Sequence, residues 1–283
     1  MRPDEPLSIR SLPAGAGLAW LTKSLALVRA QPARLLFLAV LMQAVLGLSQ
    51  VPLLGILIIL AVPGLSAGLL QAFHMVEAGQ RPPLPVLFAA LATRPRAGRL
   101  LALGALMFAA GVLSVSLVLG IDGGALDPDL MARLEQGDLD ALAALDPAFL
   151  LRMGMALAVA VTVTGVLSFL TIPLIWFSGM RVGAALLAGL RAMWLNWKPF
   201  LVLGLGLGAL LIPVMLVFGM LVRATGASAA GSLLVLALVL LVLLLFQLAV
   251  FGTQYCAHQA IFGGTKPVVP AADAGGDDSQ LVA

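Results

Sequence analysis

Charge is scarce in this sequence: 10% of its 283 residues are Asp, Glu, Lys or Arg, while 61% are hydrophobic. A soluble domain carries about 25% charged and about 45–50% apolar residues. Too little polar surface remains to clothe a water-soluble globule of this length, so the chain must face lipid. Chemically reactive side chains are equally thin. The single cysteine, Cys256, excludes an internal disulfide. Neither an H-E-x-x-H pair nor a D-x-D-x-D-G loop with a closing Glu occurs. A net charge of +3 is no nucleic-acid patch. The opening MRPDEPLSIRSLPAGAGLAW lacks a basic-then-apolar run with a small-residue cleavage site, so no removable signal peptide is expected and residues 1–16 read as a flexible N-terminus.

Long hydrophobic runs take up most of the rest. A helix needs about 20 apolar residues to cross a bilayer. Six segments qualify, at about 35–50, 52–75, 100–120, 151–174, 199–222 and 232–256. The first two form an almost continuous run, divided at Ser49-Gln50-Val51-Pro52, where the proline suits the first turn of a new helix. The predicted fold is therefore an all-α integral membrane protein over residues 17–263.

Charge placement tests the count independently, because Lys and Arg favour cytoplasmic loops. With six spans and the N-terminus inside, thirteen of the 16 basic residues fall on the cytoplasmic side, and only Arg133, Arg152 and Arg223 fall outside. The expectation is a multi-pass protein of a bacterial inner membrane with both termini cytoplasmic. The outer loop 121–149 carries seven carboxylates and one arginine, which reads as a solvated periplasmic cap. Its Asp127-Pro128 and Asp146-Pro147 pairs look like helix starts, with short helices at about 128–136 and 138–145. The tail 264–283, rich in Gly, Ala, Pro and Asp, reads as disordered.

Three stretches align on a proline: LVRAQPARLLFLAVL at Pro32, LATRPRAGRLLALGAL at Pro95 and WLNWKPFLVLGLGL at Pro199. They predict three hairpins of spans, each preceded by a short interfacial amphipathic helix, as an internal repeat. On the third such helix, Leu186, Leu190, Met193 and Trp197 share one face, and Arg181, Arg191 and Lys198 gather on another. Trp194 and Trp197 suit the headgroup boundary. Arg191, Asn196, Trp194 and Trp197 are thus candidates for headgroup or substrate contact. For Asn196 the alternative is satisfaction of backbone groups between two helices.

The segment ALLAGLRAMWLNWKPFLV resembles the A-L-x-x-S-x-x-A-x-x-N-x-x-P-F stretch of an uncharacterised family of proteobacterial six-span inner-membrane proteins, with Gly189 where the family has Ser. GLAWLTKSLALVRAQPARL, VPLLGILIILAVPGLSAGLLQAFHMVEAGQRP and YCAHQAIFG extend the resemblance over most of 17–263. That family is similar in outline to YciC-like proteins and to the membrane domain attached to some glycerophosphodiester phosphodiesterases. The resemblance implies a six-helix polytopic protein and supplies no catalytic residue.

Within the spans, polar chemistry is confined to amides and imidazoles. Gln43 and Gln50 lie seven apart on the first span, Gln71 and His74 three apart on the second, and Gln247, Gln254 and His258 on the sixth. They read as an intramembrane polar seam, serving either interhelical hydrogen bonding or a solute path. Cys256 and His258, two apart, point to different sides of a helix, so no metal site is expected. Pro63, Pro173 and Pro213 each free a carbonyl that a neighbour must satisfy. Ser178-Gly179 offers no histidine partner for nucleophilic chemistry. The expectation is a non-enzymatic scaffold or accessory protein without cofactor, its partners membrane lipids or another membrane protein. The alternative is a channel or facilitator for a neutral or lipid-like substrate along the seam.

Overall fold

A computed structural model describes residues 8–51, 54–120, 133, 145–225 and 229–263. Among these, every regular element is helical. In chain order they are α1 (Ala16–Ala30), α2 (Pro32–Gly47), a 3-10 turn (Leu48–Gln50), α3 (Leu54–Glu77), a second 3-10 segment (Leu84–Phe88), α4 (Ala89–Ala92), α5 (Arg96–Gly120), α6 (Pro147–Phe169), α7 (Thr171–Ser178), α8 (Val182–Leu195), α9 (Trp197–Thr225) and α10 (Ala229–Phe262). Six stretches are long and apolar enough to cross a membrane: Pro32–Gln50, Leu54–Glu77, Arg96–Val118, Pro147–Ser178, Trp197–Phe218 and Ala237–Phe262.

The surface argues for the same solvent. Phe37, Leu57, Leu113, Val161, Ile212 and Leu240, one from each of these stretches, are all more than half exposed. A belt of that kind is stable only where an apolar medium covers it. The chain is a multi-pass membrane protein.

Local chemistry sets the element boundaries. Pro32 occupies the first turn of α2, where its missing N–H costs nothing. The Ser49–Pro52 break falls where the first 3-10 turn ends α2. Asp146 accepts a hydrogen bond from the Ala148 N–H at 3.0 Å and Pro147 follows, so this pair does start a helix. Apart from Arg133, which is helical, and Leu145, which is not, the two short helices expected at 128–136 and 138–145 lie outside the described residues, as does the tail 264–283.

The fourth span is not continuous. Helix α6 stops at Phe169, Leu170 is a turn residue with φ −99° and ψ −21°, and α7 resumes at Thr171. Pro173 explains the break: it cannot donate to the Phe169 carbonyl four residues earlier.

The segment ahead of Pro95 also differs from the expected amphipathic helix. Pro82, Pro83 and Pro85 remove the donors of a regular first turn. A 3-10 segment and the four-residue α4 result, and they pack against α3. The approach is close, because a Cβ at Gly68 would overlap the Leu87 carbonyl.

Helix α3 is the most enclosed of the six stretches. It packs against α5, α10, α2 and α7, and α10 packs in turn against α7. The ends of α3, α7 and α10 converge, and each is followed by a glycine in the left-handed region: Gly79 (φ 71°), Gly179 (φ 65°) and Gly263 (φ 63°). Helix α1 does not rest mainly on α2, its neighbour in sequence. It packs on α9 and α10, where a Cβ at Gly17 would overlap the Pro199 carbonyl.

Candidate functional site

Charge and polar bonding concentrate where α3, α7 and α10 end. Loops there are tied by side chains from neighbouring helix starts. Gln31 Nε2 donates to the Gln80 carbonyl at 2.9 Å and Arg34 to the Pro82 carbonyl at 3.2 Å. Arg99 donates to the Gly179 carbonyl, with the Met180 carbonyl at 3.4 Å. Arg96 lies 5.4 Å from the centre of the Trp176 ring, within cation–π range.

Asn196 is fully buried at the C-terminus of α8. Its Oδ1 accepts from the Leu12 N–H at 2.9 Å, and its Nδ2 donates to the carbonyls of Arg10 (3.1 Å) and Ala192 (3.0 Å). The side chain joins backbone groups of two chain segments and turns away from any headgroup. Arg10 and Leu12, inside the stretch expected to be flexible, are thereby held. The Arg10 N–H also donates to the Ile261 carbonyl at 3.0 Å.

The other three members of that candidate set stay outside. Arg191 is exposed, Trp194 is 81% exposed and Trp197 57% exposed. Trp194, Leu195 and Trp197 line a shallow open depression, and Lys198 Nζ lies 5.8 Å from the Trp197 ring centre. The inward face of α8 is built of small residues. Ala185, Gly189 and Ala192 are buried, at spacings of four and three, while Leu190 and Trp197 face outward. Small residues win the inner face because α8 lies close on α7: a Cβ at Gly189 would sit 3.3 Å from Thr171 Oγ1.

The seam residues do not meet at one point. Gln43 donates to Gln247 at 2.8 Å, joining α2 to α10, and Gln247 Nε2 reaches Met42 Sδ at 3.5 Å. Gln71 accepts from the Trp176 indole N–H at 3.0 Å, joining α3 to α7. His74 Nδ1 lies 3.0 Å from the Tyr255 hydroxyl, joining α3 to α10. Gln254 Nε2 donates to the Phe169 carbonyl at 2.8 Å. That is the carbonyl which Pro173 leaves without a donor. Gln50 sits exposed in the 3-10 turn and does not meet the others.

His258 differs from all of these. It is 1% exposed, and neither ring nitrogen makes a hydrogen bond. Its ring packs 5.5 Å from both Phe177 and Phe262.

Sequence reasoning missed the charged part of this cluster. Lys23 of α1 pairs with Glu77 at 2.5 Å, the Tyr255 hydroxyl donates to the other Glu77 oxygen, and Gln259 donates to Tyr255 at 3.1 Å. The bond to Glu77 raises the Lys23 ammonium above its ordinary value, with burial opposing. A signal for Glu77 was present: it is the only acidic residue between Glu5 and Asp122, and it borders a span. Phe177 is the hub, with ring centres 5.7 Å from His74, 6.0 Å from Tyr255 and 5.5 Å from His258. Among the described residues no group of three or more His, Cys, Asp or Glu gathers to hold a metal ion.

Comparison with known protein families, with curated proteins and with solved structures finds no match.

Proposed function

We propose that this chain is a non-enzymatic accessory protein of a bacterial inner membrane. It presents a basic, tryptophan-edged face to anionic lipid headgroups and to a membrane-embedded partner. The observation that carries this reading is the engagement of the seam: Gln43, Gln71, His74 and Gln254 are each bonded across a different pair of helices. A solute path needs such groups free and convergent on one opening. Interhelical bonds of this kind average about 0.6 kcal/mol and hold a bundle in register.

Three repeated units, each an interfacial segment followed by a hairpin of spans, fit the same reading. Its support is the left-handed glycine that follows α3, α7 and α10 in turn. The gathering of Arg34, Arg96, Arg99 and Lys23 around those ends supports a cytoplasmic orientation for them. Arg191, Lys198, Trp194 and Trp197 would then lie at headgroup level, where each cation contributes on the order of 1 kcal/mol of attraction to anionic lipid.

The test is native mass spectrometry of the protein extracted in polymer-bounded native discs. Expected is a retained anionic phospholipid or a second polypeptide, with lipid retention reduced in an Arg191→Ala/Lys198→Ala variant. The facilitator reading keeps one favouring observation, the unbonded His258. Glycerol flux into reconstituted vesicles that disappears in Gln71→Leu/Gln254→Leu would establish it and remove the accessory reading.

A further inference from the structure

The N-terminal segment Ile9–Leu12 is not helical and crosses the end of α10. Polar ties hold it at three points: the Arg10 N–H on Ile261, and the Arg10 carbonyl and Leu12 N–H on Asn196. Ile9 and Leu12 add apolar packing against the core. A Cβ at Gly263 would lie 2.8 Å from an Arg10 guanidinium nitrogen, so the arginine also crosses the last turn. One turn earlier on α10 lies His258, buried between Phe177 and Phe262 without a hydrogen bond. A buried polar group in that condition penalises the state that buries it.

These two facts oppose each other. The strap ties down the end of α10, and the imidazole one turn earlier on that helix is better satisfied when the end is open to water. We infer that Ile9–Leu12 is a releasable latch, with Asn196 as its catch and His258 as the group that favours release. A permanently seated strap would need no unsatisfied imidazole one turn away on α10. A latch needs a closed state only slightly preferred over an open one. Asn196 suits the role of catch because one side chain holds two backbone groups of the strap, so its loss frees both together.

Cys256, the sole cysteine, is 2% exposed and lies five residues before Ile261, the strap's tie on α10, so its exposure reports opening of that helix end. The experiment measures labelling of Cys256 by a water-soluble maleimide in full-length protein held in lipid nanodiscs. A Cys256→Ser/Ser114→Cys chain serves as reference, since Ser114 is buried in α5, well removed along the chain from the strap. Asn196→Ala is expected to speed Cys256 labelling about tenfold, as loss of two ordinary hydrogen bonds implies, while the Ser114→Cys thiol stays slow. His258→Leu is expected to slow it by about fivefold, because the group that favours opening is gone.

Equal labelling of Cys256 in wild type and Asn196→Ala overturns the proposal. So does an equal rise at the Ser114→Cys thiol, which would mean general loosening, and so does faster or unchanged labelling in His258→Leu. If Asn196→Ala does not fold, deletion of residues 1–12 removes the strap and leaves the catch intact. The same local rise is then required.

Discussion

Gln254→Leu tests how α10 and the broken fourth span depend on one another. In the wild-type chain Pro173 denies the Phe169 carbonyl its helical donor, and Gln254 Nε2 supplies one at 2.8 Å from α10. Leucine has similar bulk but no donor, so the carbonyl is left buried and unpaired. Orphaning a buried acceptor costs about 1–3 kcal/mol in general, and interhelical bonds in membranes run from about 0.6 to about 1.7 kcal/mol. The expected loss is about 1–2 kcal/mol. Pro173→Ala restores an N–H four residues after Phe169, so the carbonyl can bond within its own helix. In that background Gln254→Leu is expected to cost under about 0.5 kcal/mol, which leaves a coupling of about 1 kcal/mol in the double-mutant cycle. The assay is reversible unfolding of all four chains in mixed micelles, followed by helical circular dichroism against the mole fraction of dodecyl sulfate. Equal losses in the Pro173 and Ala backgrounds, within about 0.3 kcal/mol, would refute the claim that Gln254 stands in for the missing proline donor.

Three further outcomes follow from other contacts. Gly17→Ala forces α1 away from the Pro199 carbonyl and is expected to cost about 1–3 kcal/mol, whereas Gly183→Ala, with open space around it, is expected to be neutral or stabilising by up to about 1 kcal/mol; similar shifts for the two in the same unfolding assay would count against a docked α1. Trp176→Phe and Gln71→Leu remove the two halves of one bond, so a cycle between them is expected to give about 0.5–1.5 kcal/mol of coupling, and additivity would show the bond to be idle. Lys23 has its folded value raised above the ordinary 10.5, so the stability from its pairing with Glu77 is fully present below that pH and lost as pH rises through the higher folded value. Unfolding midpoints from pH 7 to 9 should therefore not change on this account, and the alkaline decline should be shallower in Lys23→Met; an equal decline in both chains would remove Lys23 from the pH response.

Much of the fold is legible because a bilayer imposes simple rules. Scarce charge and apolar runs of span length are properties of the chain itself, and they predicted six spans whose positions agree to within a few residues at most ends. The Asp146-Pro147 start was readable for the same reason, since capping is decided within a few residues. The 3-10 segment at Leu84–Phe88 was also within reach: three closely spaced prolines speak against an ordinary helix. The inward face of α8 was not legible, because a helical wheel sorts residues by polarity alone. Close helix packing instead selects small residues, and it put Ala185, Gly189 and Ala192 inward.

What the sequence determined by itself is the solvent of this protein, the number of apolar helices and the places where they begin and break. Each of these follows from local composition or from a backbone donor that proline removes. Pairings belonged to the tertiary structure alone. Asn196 meets Arg10 and Leu12 across 186 and 184 residues, and Glu77 meets Tyr255 across 178. Nothing local marks such partners, because in lipid a polar side chain must find some donor or acceptor and the fold decides which one lies in reach. The seating of the strap arises in the same way: α1 packs on α9 and α10 rather than on α2, and that choice carries residues 9–12 across the last turn of α10.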